Sequence, residues 1–189
     1  MGLGVSLDSN RATIYLPMEK GNYIIEPMVR YQWDDYDLDG TRTEAPNVVA
    51  VSTEDLGAEA GAIGVGLYRV VTLMEKTRLI LGGRLGYQFE EQESQQALAY
   101  STGQYDLRTF KRDIHGPFAA PSIGLEYALT DHIFAGGRAS VEYRRMTGDE
   151  ASATNRKLFS GTVQTFSEER DVTQTSSSTE TELYVKYYF

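Results

Sequence analysis

The chain has 189 residues, with 27 acidic against 18 basic side chains and a formal net charge of −9. That acidic surplus excludes a nucleic-acid partner, because phosphate binding needs a basic face. The absence of cysteine and the presence of only two histidines exclude disulfides, thiolate metal sites and cysteine nucleophiles, and the length predicts a single domain over residues 1–189.

Aromatic residues make up 11% of the chain, 13 of them tyrosines, which argues against disorder. No apolar run of about 18 residues is present, so no transmembrane helix is predicted. The opening MGLGVSLDSN lacks the basic start and apolar core of a secretory signal, so an exported form is expected to have lost its leader.

In chain order, LGVSL and ATIYLP alternate in polarity and predict a first hairpin around Asp8 to Arg11. YIIEPMVRYQWD places Ile25, Pro27, Val29, Tyr31 and Trp33 on one face and Glu26, Met28, Arg30, Gln32 and Asp34 on the other. This period of two is the mark of a strand between two environments. GAIGVGLYRVV follows, apolar on one side and glycine-rich on the other. RLILGGRLGYQFE sets Leu79, Leu81, Leu85, Tyr87 and Phe89 against Arg78, Arg84, Gln88 and Glu90. PSIGLEYAL and IFAGGRASVEYR alternate in the same way. TELYVKYYF sets Leu183, Val185, Tyr187 and Phe189 against Glu182, Tyr184, Lys186 and Tyr188.

Three connections are tight: PMEKGN (17–22), TLMEKT (72–77) and LTDH (129–132). Between them lie polar stretches at about 34–57, 90–114 and 145–177, predicted as long loops at the opposite end. Within the last two, hairpins around Thr102–Gly103 and Ser160–Gly161 would lengthen the barrel strands and expose strand edges. TSSSTETE is expected to be the most mobile segment.

Short turns at one end, long excursions at the other and one apolar face per strand predict an all-β fold. The expected architecture is an antiparallel up-and-down transmembrane β-barrel of about eight strands, with short periplasmic turns and long extracellular loops. The inward list is then Glu26, Arg30, Arg84, Glu126, Arg138, Glu142, Glu182 and Lys186, four acids facing four bases that are expected to interlock and plug the barrel. Glycines 64, 66, 82, 86, 124 and 136 are expected to make room for those long side chains.

By this topology and its terminal TELYVKYYF, the whole chain resembles the OmpA/OmpX-like family of small outer-membrane barrels. The resemblance implies residence in a bacterial outer membrane, with lipid as a partner. It also implies that Leu183, Val185, Tyr187 and Phe189 form the C-terminal signal read by the barrel-insertion machinery. No enzymatic activity follows from it, and the loops are expected to meet an external surface, a protein or a lipid.

Two chemical readings stand beside this one. Asp35, Asp37, Asp39 and Gly40 in DDYDLDG follow the first half of a calcium loop, although Pro46 stands where the final acidic ligand belongs. Calcium is therefore the one cofactor considered. His115 with Asp113 and a loop serine is the only arrangement open to a lipid-modifying barrel enzyme, since His132 is predicted at the opposite end. Further alternatives are a narrow pore, an accessory subunit of an outer-membrane complex, and a soluble lipocalin-like barrel with the apolar face inward.

Overall fold

The computed structural model describes the backbone at every position except Ser9, Pro46, Asn47 and Phe159. Side chains are described except for those residues, Asp8, Ser52 and residues 35–50. Among the described residues there are nine strands and no helix: β1 (Gly2–Asp8), β2 (Arg11–Tyr15), β3 (Met18–Lys20), β4 (Tyr23–Ala45), β5 (Val48–Met74), β6 (Thr77–Tyr100), β7 (Tyr105–Ala128), β8 (Ile133–Lys157) and β9 (Val163–Tyr188).

Apart from β2 and β3, each strand pairs antiparallel with the next, and β1 pairs with β9 while β2 pairs with β4, which closes the sheet into a barrel. Proline cannot donate a ladder hydrogen bond, and the interruption at Leu16 and Pro17 separates β2 from β3. Both run against β4 and form one wall. The ring therefore has eight walls, as the alternation predicts.

Strand length departs from expectation. β4 to β9 run 23 to 27 residues each, about twice the 9–11 that cross a bilayer. The stretches predicted as long loops are paired strands: Glu90 to Ala99 lies against Tyr105 to Ile114, and Arg145 to Lys157 against Val163 to Thr175. The reversals are tight, with Gly103 and Gly161 each at φ +81°, a conformation that glycine adopts without steric cost. TSSSTETE, expected to be mobile, belongs to β9, with Ser176 opposite Arg144 and Ser178 opposite Glu142. Thr and Ser satisfy a strand backbone as well as apolar residues do once both faces are wet, so polarity alone misread these segments.

The first hairpin is short. β1 and β2 end at Asp8 and Arg11, level with Gln32 of β4 and with Glu180, which Arg11 meets at 3.2 Å. Above that level β4 to β9 continue alone as a six-stranded crown.

Candidate functional site

The barrel interior follows from strand parity. Even-numbered residues of β4 to β9 point inward, and Glu26, Arg30, Arg84, Glu126, Arg138, Glu142 and Lys186 are all buried, with Glu182 nearly so. Near the short turns, Arg78 donates Nε to Glu126 at 2.6 Å and Nη1 to Glu19 at 2.8 Å. Lys186 Nζ lies 2.9 Å from Glu126 and also meets Glu26. Arg138 Nη1 donates to Glu26 at 2.9 Å and also to the Tyr68 hydroxyl, which accepts from Arg84 Nε at 3.0 Å. Arg84 closes the chain on Glu182.

Above this, Arg30 donates to Glu142 at 3.0 Å and to Gln88 at 2.9 Å, and reaches Glu180 at 3.3 Å. Between the two networks sits an apolar layer of Tyr15, Met28, Ala62, Phe118, Ala120 and Tyr184. Aromatic faces cover the cations: Arg138 lies 4.5 Å from the Tyr68 ring centre and 5.0 Å from that of Tyr184, a favourable arrangement in a desolvated site.

Sequence parity placed the eight charged residues inward and set Arg78, Gln88, Tyr184 and Tyr188 on the same face without assigning them to the network, and it did not point to Tyr68, Glu19, Arg11 or Glu180. Three of the glycines also serve differently from expectation. A Cβ on Gly66 would fall 2.4 Å from the Tyr68 ring, one on Gly86 2.5 Å from Phe118 and one on Gly136 2.8 Å from Tyr184. These three make room for aromatic rings, whereas Gly124 lies against Arg138, whose Cβ would be 3.4 Å from an added Cβ.

The outward face is the reverse. Leu3, Val5, Leu7, Ile14, Ile25, Val29, Ile63, Val65, Leu67, Leu81, Leu85, Ile123, Leu125, Val141, Leu183, Val185, Tyr187 and Phe189 are all exposed. Tyr31, Trp33, Tyr87, Phe89 and Tyr143 edge this belt on the crown side. Apolar outside and charged inside is opposite to a soluble ligand-binding barrel, so the lipocalin-like alternative is overturned.

Just beyond Tyr31 and Phe89, and level with Trp33, the outward face turns acidic. Glu59, Glu91, Asp113, Asp149 and Asp171 stand directly opposite one another across β5 to β9, and all five are exposed. Lys111 reaches Glu91 at 3.0 Å, a hydrogen bond that holds its ammonium above the ordinary lysine range.

The two histidines are far apart. His115 faces outward on β7 and stacks on Tyr87 at 5.9 Å, while His132 lies in the short turn before β8 beside Tyr187. The backbone of Asp35, Asp37 and Asp39 is extended in β4, opposite Gly57, Asp55 and Thr53; their side chains, and so the calcium reading, lie outside the described residues.

No protein-family model matches the chain, and no curated protein matches it. Among solved structures it is similar to a major outer membrane protein from Thermus thermophilus, with 10% identity and a TM-score of 0.49 over 100% of this chain and 97% of that one. It is also similar to CarO of Acinetobacter baumannii, with 10% identity and a TM-score of 0.45 over 100% and 97%. The ferric yersiniabactin uptake receptor FyuA of Yersinia pestis matches at 11% identity and a TM-score of 0.43, over 93% of this chain and 27% of the receptor.

Proposed function

We propose that the chain is an integral outer-membrane β-barrel, non-enzymatic and non-conducting, which anchors its crown outside the cell for contact with another surface or protein. The observation that carries this is the exposed apolar belt around a closed, charged interior. A soluble monomer does not present a continuous apolar band of this size, whereas a bilayer requires one. Short turns then face the periplasm and the crown faces outward.

The two ion networks with an aromatic layer between them support a barrel filled by its own side chains, as expected for eight strands. The positions of His115 and His132 support a role without acyl-transfer chemistry. The experiment is refolding with and without detergent micelles, followed by electrophoresis before and after boiling, then insertion into a planar bilayer. Compact, heat-sensitive migration that needs micelles, with no current steps, supports the reading. Folding in plain buffer overturns the membrane assignment, and discrete current steps overturn the plug.

A further inference from the structure

Below the tip of the first hairpin, β1 and β2 lie between β9 and β4: β1 pairs with β9 over Gly2–Val5 and parts from it toward the tip, where Ser6, Leu7, Thr181, Glu182 and Leu183 line a cavity, while β2 pairs with β4 over Arg11–Tyr15. Above the tip those two strands are missing, while their neighbours continue. Among the described residues, β9 pairs with β1 only from Val185 to Tyr188, so Val163 to Tyr184 has β8 as its one strand neighbour. Among them too, β4 pairs with β2 only up to Gln32, with one further bond from Trp33 N–H to the Asn10 carbonyl, so Asp34 to Ala45 has only β5. The crown therefore carries a slot between β9 and β4, in the place that β1 and β2 hold below. Its floor is a cavity of about 260 Å³ lined by Asn10, Arg11, Gln32, Thr179, Glu180 and Thr181.

Backbone direction at both edges is fixed. Tyr188 N–H donates to His132 and Phe189 N–H to Met1, and the β8–β9 register runs without a shift from Val163 to Tyr187. Odd-numbered β9 residues therefore aim their N–H and C=O groups into the slot: Thr173, Thr175, Ser177 and Thr179. On β4, Pro27 C=O accepts from Leu16 and Trp33 N–H donates to Asn10, so Asp35, Asp37 and Asp39 aim their backbone groups into it from the other side. Natural edges are blunted with lysine, proline or bulges. TQTSSST (173–179) has none of these. The β4 edge is acidic in sequence, with aspartates at 34, 35, 37 and 39.

We propose that the slot is a docking site for a β-hairpin of another protein, one strand pairing with Thr173 to Thr179 and a cationic strand pairing with the acidic edge of β4. Two strands fit where two are missing, and the backbone of both edges supplies the hydrogen bonds of strand addition. Charge complementarity with β4 sets the orientation and speeds the encounter. The inference rests on the outer-membrane reading only in placing the crown outside the cell.

The test uses the full chain refolded in micelles and a fluorescent synthetic hairpin closed by Asn-Gly, with threonines on one strand and lysines on the other. Saturable binding by anisotropy is expected, weakening with salt. It should fall roughly tenfold or more in Thr175→Pro and Ser177→Pro, whose lost N–H groups face the slot and not β8. Heat-sensitive electrophoretic migration is read in the same samples, so failure of the barrel reading is seen separately. A hairpin N-methylated on its threonine strand tests the same bonds without altering the protein, and should also lose binding. Undiminished binding of the N-methylated hairpin, equal binding of a single strand, or no saturable binding overturns the proposal. A dimer of this chain that forms without peptide and is lost in Thr175→Pro overturns it in favour of self-association.

Discussion

Arg138 and Glu26 lie 2.9 Å apart on β8 and β4, across the barrel, with side chains 1% and 0% exposed. Ions so far from water are tolerable only as partners, since each alone carries several kcal/mol of desolvation. Glu26 also meets Lys186, and Arg138 donates to Tyr68. The pair therefore couples walls of the barrel that are distant in sequence.

Glu26→Met should lower unfolding stability in micelles by about 3–5 kcal/mol, the usual cost of stranding one member of a buried pair, because it removes the carboxylate that Arg138 meets. Arg138→Met should cost less, since Lys186 still meets Glu26. The double variant should recover much of the loss, because an apolar replacement of both partners leaves no buried ion unpaired at that point and Lys186 keeps Glu126 at 2.9 Å. Urea titrations followed by electrophoretic mobility measure all three. Additive losses in the double variant would show that the two residues act independently.

The sequence made this network visible because parity in a strand is rigid: once Tyr31 and Trp33 are assigned outward, Glu26 and Arg30 must point in. The crown was not legible in the same way. From Glu90 to Tyr100 both faces are wet, so polarity no longer alternates, and a paired strand such as EEQESQQALAY reads as a loop. The slot was hidden for a different reason. It depends on how far β1 and β2 rise relative to β4 and to β9 at the far end of the chain, and local pattern carries no such distance.

Glycine substitutions separate the filled interior from the open crown. Gly86→Ala would set a Cβ 2.3 Å from the Ile63 carbonyl and 2.5 Å from the Phe118 ring. Backbone must move, at a cost of about 1–3 kcal/mol. Gly57, on β5 in the crown, has nothing within 4 Å of such a Cβ. Gly57→Ala should leave the unfolding midpoint unchanged or raise it slightly, since alanine favours the folded chain by restricting the unfolded one. Equal effects at the two positions would contradict the packing around Phe118.

The acidic row offers a charge test. Asp149 stands between Asp113 and Asp171 in direct cross-strand register, and like charges placed so oppose pairing by about 0.2–1 kcal/mol. Asp149→Asn should raise the unfolding midpoint at low ionic strength, and the gain should vanish in molar salt, where the screening length falls to about 3 Å. A gain that persists in salt would assign the effect to side-chain packing instead of repulsion.

Trp33 reports the position of the belt itself. It is the single tryptophan of the chain, faces outward on β4, and stacks on Tyr31 at 5.8 Å. Ten residues separate it from Tyr23 at the short-turn end, which at strand rise and barrel tilt amounts to about 25 Å. That distance places the indole at the far interface, at headgroup level, directly opposite Glu59 on β5. In vesicles, emission should shift to the blue relative to the urea-unfolded chain. Lipid-borne nitroxides near the headgroup should quench it more than those at the acyl terminus. Stronger quenching from the bilayer centre would move the belt by about half its height toward the crown and carry the acidic row Glu59–Glu91–Asp113 into hydrocarbon, an arrangement the cost of buried carboxylates forbids. Such a result would therefore overturn the assignment of Tyr31 and Trp33 to the membrane edge.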